Sequence, residues 1–166
     1  MSDIAQNPEE AEVLLLLGTM VRDAAHMEVT VEALTGHLIA SNDPHAPGVQ
    51  GEFLKPLIRK CREAAGQLAR LDDAQRQSLE SVLDRITAVA ELRNAYVHGG
   101  WARDLDGSLI AMRGKRGQTE LISHSVSAEQ LREMIGTIGA INNELLEWLA
   151  RDLGVAYDPI PEEAAE

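Results

Sequence analysis

Leu79-Glu80-Ser81-Val82-Leu83-Asp84-Arg85-Ile86-Thr87-Ala88-Val89-Ala90-Glu91-Leu92-Arg93-Asn94-Ala95-Tyr96-Val97-His98-Gly99-Gly100 is the stretch on which the fold turns. Leu79, Val82, Leu83, Ile86, Val89 and Ala90 recur at spacings of three and four, which lays them along one side of a helix and predicts an amphipathic segment that must bury that side. Asp72-Asp73 supplies its cap and Gly99-Gly100 its stop. At about 100° per residue, Arg93 falls within about 20° of the centre of the stripe, where an apolar residue is due. A guanidinium does not shed its charge, so one placed in a core needs a partner. Such a break in local consistency often marks a functional or strained position.

On the N-terminal side, Asn7-Pro8-Glu9-Glu10 has the composition of a helix start, with a cap, a proline at the first helical position and carboxylates at the positive end of the dipole. The helix it opens is expected to run toward Ser41 on Ala11, Leu14, Leu15, Val21, Ala25, Leu34 and Leu38, with Val29-Thr30-Val31 as a place for a bend. A loop follows from Asn42 to Gly48. The next helix is expected from near Pro56, with Leu57, Ile58, Cys61, Ala64, Ala65 and Leu68 on one face.

On the C-terminal side, the period changes to alternation between Trp101 and Ser125. Asp106-Gly107 is a hairpin signal and Gly114-Lys115-Arg116-Gly117 a second turn, so two or three antiparallel strands are expected. Ser127-Ala128-Glu129-Gln130 is a capping box opening the last helix, whose stripe is Leu131, Met134, Ile135, Ile138, Ile141, Leu145, Leu149 and Leu153. Gly136 and Gly139 are expected to admit a neighbouring helix at close range. The expected fold is mainly α, an antiparallel bundle of four or more helices with a small β-hairpin insertion, about residues 101–125, before the last long helix. A single domain over 1–154 and an acidic tail over 155–166 complete the reading.

The 166 residues, 45% hydrophobic and 25% charged, are of globular composition. The aliphatic run Val13–Leu17 is too short to span a membrane, and Glu9, Glu10 and Glu12 stand where a secretory leader would be basic, which points to a cytoplasmic address. The single cysteine, Cys61, excludes an intrachain disulfide. A net charge of -12 weighs against a nonspecific nucleic-acid binder acting through whole-molecule attraction. Charge is segregated, however. Residues 93–124 hold Arg93, Arg103, Arg113, Lys115 and Arg116 against Asp104, Asp106 and Glu120, a net of +2 that leaves -14 elsewhere. Arg103, Lys115 and Arg116 are the candidate RNA contacts in that region, while Lys55, Arg59, Lys60 and Arg62 read as a solvated helix face.

Glu91-Leu92-Arg93-Asn94-Ala95-Tyr96-Val97-His98-Gly99-Gly100-Trp101 resembles the HEPN superfamily of small helical-bundle proteins, whose signature is an arginine, usually followed by a polar residue, and a histidine a few positions later at a helix end. Arg93, Asn94 and His98 match those places in order. The resemblance implies a metal-independent endoribonuclease without a cofactor, working as a homodimer with both motifs in one composite cleft, in a toxin-antitoxin or defence setting with an antitoxin or other protein partner. By that resemblance Arg93 holds the scissile phosphate, His98 is the acid or base and Asn94 orients them. Some relatives carry, two places after the histidine, a tyrosine that a partner nucleotidyltransferase modifies; Gly100 stands there, so that control does not carry over.

The residue types suit this chemistry. Attack of a ribose 2′-hydroxyl on its own phosphate needs proton transfer at two oxygens and charge stabilisation on the others, and a two-fold dimer supplies two imidazoles and two guanidinium forks. The negative end of the helix dipole favours a cation near His98, and histidine is the side chain that ordinarily exchanges a proton near neutral pH. Each residue also has a plainer reading. Arg93 can serve a structural ion pair with Asp23 or Glu28, and His98 can satisfy the last helical carbonyls. The alternative function is accordingly a noncatalytic dimeric module that binds a protein or a nucleotide. Asp23 and His26 share a helix face, yet neither they nor His37 form a recognised metal spacing, and no metal site is expected.

Overall fold

The computed structural model describes residues 8–43, 45, 47–114 and 121–155. Four helices, α1 (Pro8–Asn42), α2 (Leu54–Gln67), α3 (Asp73–His98) and α4 (Ala128–Leu153), carry most of the chain. Three strands, β1 (Gly100–Arg103), β2 (Leu109–Gly114) and β3 (Leu121–Val126), stand between α3 and α4. The fold is thus mainly helical with a small β insertion before the last long helix. That insertion is an antiparallel sheet in the order β1-β2-β3, the upper of the two or three strands expected. No described helix is long and apolar enough to cross a membrane.

The helix ends follow the local chemistry. Asp72 Oδ1 accepts from the Gln75 backbone N–H at 2.8 Å while Gln75 Oε1 accepts from the Asp72 N–H at 2.8 Å, a reciprocal box that starts α3. At the start of α4, Ser127 Oγ accepts from the Gln130 N–H at 3.1 Å, but the Gln130 side chain turns to Ser125 Oγ instead of closing the box. Helix α2 begins at Leu54, before Pro56, because a proline in the first turn forfeits no helical hydrogen bond. Its last carbonyls are met by other elements: Arg76 of α3 donates to Ala65 and Leu68, and Asn42 of α1 donates to Ala64. Helix α1 continues unbroken through Val29-Thr30-Val31.

Leu34 and Leu38 of α1 are buried as expected, but over its first turns the buried face differs from the expectation. Val13, Met20, Met27 and Leu34 are buried seven residues apart, and Ala24, Val31 and Leu38 repeat the same interval. Leu14, Leu15 and Val21 lie in the open, Leu15 at 72% exposure. Each of these lines carries one residue per two turns, and together they form the narrow stripe that α1 buries. The expectation for Gly136 and Gly139 also fails, since a Cβ built at either would meet nothing within 4 Å. Both glycines face away from the residues that α4 buries.

The chain forms two compact units, one of Met1–Glu28 and Leu83–Ile141 and the other of Val29–Val82 and Asn142–Glu166. In the second unit, Trp148 is buried and its indole N–H donates to the Gln75 carbonyl at 3.3 Å, while the Gln75 amide donates to Asp152 Oδ1 at 2.8 Å. Burial alone would raise the Asp152 carboxyl, but hydrogen bonds from Arg151 and Gln75 and the Arg151 charge outweigh it and hold the group below the usual range. Arg59, Lys60 and Arg62 of the second basic cluster are each ion-paired, with Glu63, Glu52 and Glu80 respectively. Three of the four cations read in that cluster are thus met by carboxylates.

Cys61 is fully buried in the same unit, and burial pushes its thiol up to about 12 from an ordinary 9.0, despite a hydrogen bond with Thr35. Between those two values the unfolded chain holds fewer protons than the folded one, so stability falls as pH rises through that window. The urea midpoint is expected to drop between about pH 8 and about pH 11 more steeply in the natural chain than in Cys61→Ala. Equal pH dependence in the two would show that the thiol is not protected by burial.

Candidate functional site

The sequence places Arg93, Asn94 and His98 in the last two turns of α3, and the surrounding structure belongs to the first compact unit. Two hydrogen bonds fasten this end of the helix to the sheet. The Tyr96 hydroxyl donates to the Ser125 carbonyl of β3 at 3.1 Å, and the Trp101 indole of β1 donates to the Tyr96 carbonyl at 2.8 Å. Burial raises the Tyr96 phenol above its usual range, which keeps it a donor throughout the physiological span. Trp101, Ala111 and His124 lie opposite one another across the three strands, with Ala111 fully buried between its two half-buried neighbours.

The sheet changes which side of α3 is inside. Leu79, Val82, Leu83 and Ile86 are buried, as the stripe requires, but Val89 and Ala90 are only half-buried and Val97 is 37% exposed. In the last two turns burial passes to Ala95 and Tyr96. Arg93 accordingly does not interrupt a continuous apolar core. It stands on a half-buried flank, with 21% of its side chain exposed, between Leu92 and Asn94 that are half-buried as well.

The guanidinium is engaged on two sides. Its Nη2 pairs with Glu28 of α1, and its Nη1 donates to Asn94 Oδ1 at 3.1 Å. Of the two carboxylates considered as structural partners, the structure selects Glu28; Asp23 is taken by its neighbour Arg22. Arg103 follows the same pattern, pairing with Glu10 of α1 and donating to the Gly107 carbonyl at 2.7 Å. Arg132 of α4 pairs with Glu12. Helix α1 therefore supplies a carboxylate to a guanidinium on each of α3, β1 and α4, and the excess positive charge read for residues 93–124 is met locally at Arg93 and Arg103. Lys115 and Arg116 lie outside the described residues.

His98 closes α3 with its imidazole exposed. Among the described residues no hydrogen bond joins it to Asn94 or Arg93, so within one chain the structure brings Arg93 and Asn94 together and leaves His98 apart. Glu10 and Glu12 are the residues that sequence reasoning missed here. Their positions mark them only as acids near the start of α1, and nothing in the pattern names their partners. Among the described residues no group of three or more histidine, cysteine or acidic side chains is placed to hold a metal ion. No family model, no curated protein and no solved structure matches the chain.

The glycine after His98 has a backbone reason. A Cβ at Gly99 would lie 2.3 Å from the Ala95 carbonyl oxygen and 2.9 Å from that of Met112, so the chain passes from α3 into the sheet through a gap only hydrogen fits. Gly100 has nothing within 4 Å of such an atom. Beyond stopping the helix, Gly99 is thus required by close backbone approach. Gly99→Ala is expected to cost about 2–3 kcal/mol and to lower the melting temperature by roughly 5–10 °C, with Gly100→Ala near the natural value. Equal melting temperatures for the two variants would contradict this geometry.

Proposed function

We propose that the chain is a metal-independent endoribonuclease of HEPN type, acting as a homodimer in which each copy contributes His98 for proton transfer and Arg93 for the scissile phosphate, with Asn94 holding Arg93 in position. The observation that carries this reading is the exposed His98 at the abrupt end of α3, with Arg93 and Asn94 hydrogen-bonded to each other in the preceding turns. In the proposed reaction one imidazole takes the proton of the ribose 2′-hydroxyl while its oxygen forms a bond to phosphorus. The second returns a proton to the departing 5′-oxygen as that bond breaks, leaving a cyclic phosphate. Guanidinium forks offset the charge that gathers on the phosphate oxygens. A toxin or defence role, with RNA as substrate and an antitoxin as partner, follows from the same resemblance.

A second reading has its own support. The Arg93–Glu28 pair is what a structural arginine makes, and a net charge of -12 opposes approach to RNA. Both favour a noncatalytic dimeric module that binds a protein or a nucleotide.

Cleavage decides between the two. The purified chain, incubated with mixed-sequence RNA and a chelator, is expected to produce fragments ending in cyclic phosphate. His98→Ala is expected to reduce the rate by roughly 10²-fold or more while leaving the melting temperature unchanged. Full activity in that variant, or no cutting by the natural chain, would support the module instead.

A further inference from the structure

We infer that Glu28 is a built-in competitor for the phosphate site, a carboxylate that occupies the Arg93 guanidinium until a nucleic-acid phosphate displaces it. The inference rests on the proposed role of Arg93 and concerns how that site is controlled. A guanidinium fork fits a carboxylate and a phosphate in the same way, through paired N–H donors, and an N–H committed to one oxygen does not serve the other. Arg93 commits Nη1 to the neutral Asn94 oxygen beside it, which fixes its direction without cancelling its charge. Nη2 is committed to Glu28, on another helix and 65 residues away in the chain, and that contact neutralises it.

The exposures of the two partners bear on exchange. The Arg93 and Glu28 side chains are 21% and 34% exposed, so the pair is reachable from solvent without unfolding. A pair this accessible is weak enough to break, yet an incoming phosphate must repay its loss, which lowers affinity by up to about fivefold. Glu10 on Arg103 and Glu12 on Arg132 show the same helix answering two further arginines, so the contact at Arg93 belongs to a general neutralisation of this unit by α1.

The test is binding of a fluorescent 2′-deoxy oligonucleotide, which lacks the attacking hydroxyl and cannot be cut, to the full-length chain at low salt. Glu28→Gln, nearly the same shape without the charge, is expected to bind up to about fivefold more tightly. The gain should vanish in the double variant Glu28→Gln/Arg93→Gln, while Glu147→Gln, an exposed acid elsewhere, should bind like the natural chain. With RNA, Glu28→Gln should lower KM. Glu28→Asp keeps the charge but draws it back by one methylene, and is expected to tighten binding about twofold to threefold; it serves if the glutamine variant does not fold. Binding no tighter than natural in the folded variants, or a gain that survives loss of Arg93, would overturn the proposal. Because this readout needs no cleavage, a chain that binds as described yet never cuts RNA would sink the nuclease reading and keep the competitor. His98-dependent cutting with no Glu28 effect would do the reverse.

Discussion

An arginine cannot escape burial by losing its proton, and in the first unit this constraint bears on Arg93, whose side chain is 21% exposed, more than on Arg103 and Arg132, which are half exposed. Three guanidiniums, on α3, β1 and α4, are each met by a carboxylate from the part of α1 that belongs to this unit. Apolar burial along a seven-residue interval sets which side of α1 turns inward, and the acids at Glu10, Glu12 and Glu28 then lie where they reach the later elements. The acidic balance of the chain is in this respect partly structural. Several of its carboxylates answer specific cations, so the net charge is a poor guide to the potential at any one place.

Most element boundaries were legible in the sequence because they rest on chemistry that acts within four residues. The box at Asp72 and Gln75, the cap at Ser127 and the Asp106-Gly107 turn are all local, and the turn is completed by a glycine at φ +86° and by Asp106 accepting twice from Ser108. The inward side of α1 was not legible in the same way. Leu14 and Leu15 are more hydrophobic than Ala24, and composition alone favours them, yet the interval through Met20 and Met27 decides the outcome. Periodicity outranked hydrophobicity.

The candidate site was legible by residue type and illegible by environment. A helical wheel assigns an apolar surrounding to Arg93 by continuing the stripe of Leu79 to Ile86, and that continuation ignores the sheet. Once the strands bury Ala95 and Tyr96, the stripe has turned and Arg93 stands on its flank. The choice of Glu28 over Asp23 likewise depends on a contact between residues 65 apart, which no pattern within a helix reveals. Gly99 reads in sequence as a helix terminator, whereas its neighbours in space show that the passage into β1 admits no larger residue.

The two tryptophans fall one to each compact unit, Trp101 at the start of the sheet and Trp148 inside the last helix. Each indole N–H is tied to a backbone carbonyl, of Tyr96 and of Gln75 respectively, and the two differ in burial. Native emission therefore comes from two fluorophores in distinct surroundings, and replacing either one leaves a single optical reporter. Denaturation followed through the survivor reads one half of the molecule at a time, and coincidence or separation of the two curves measures how cooperatively the chain melts.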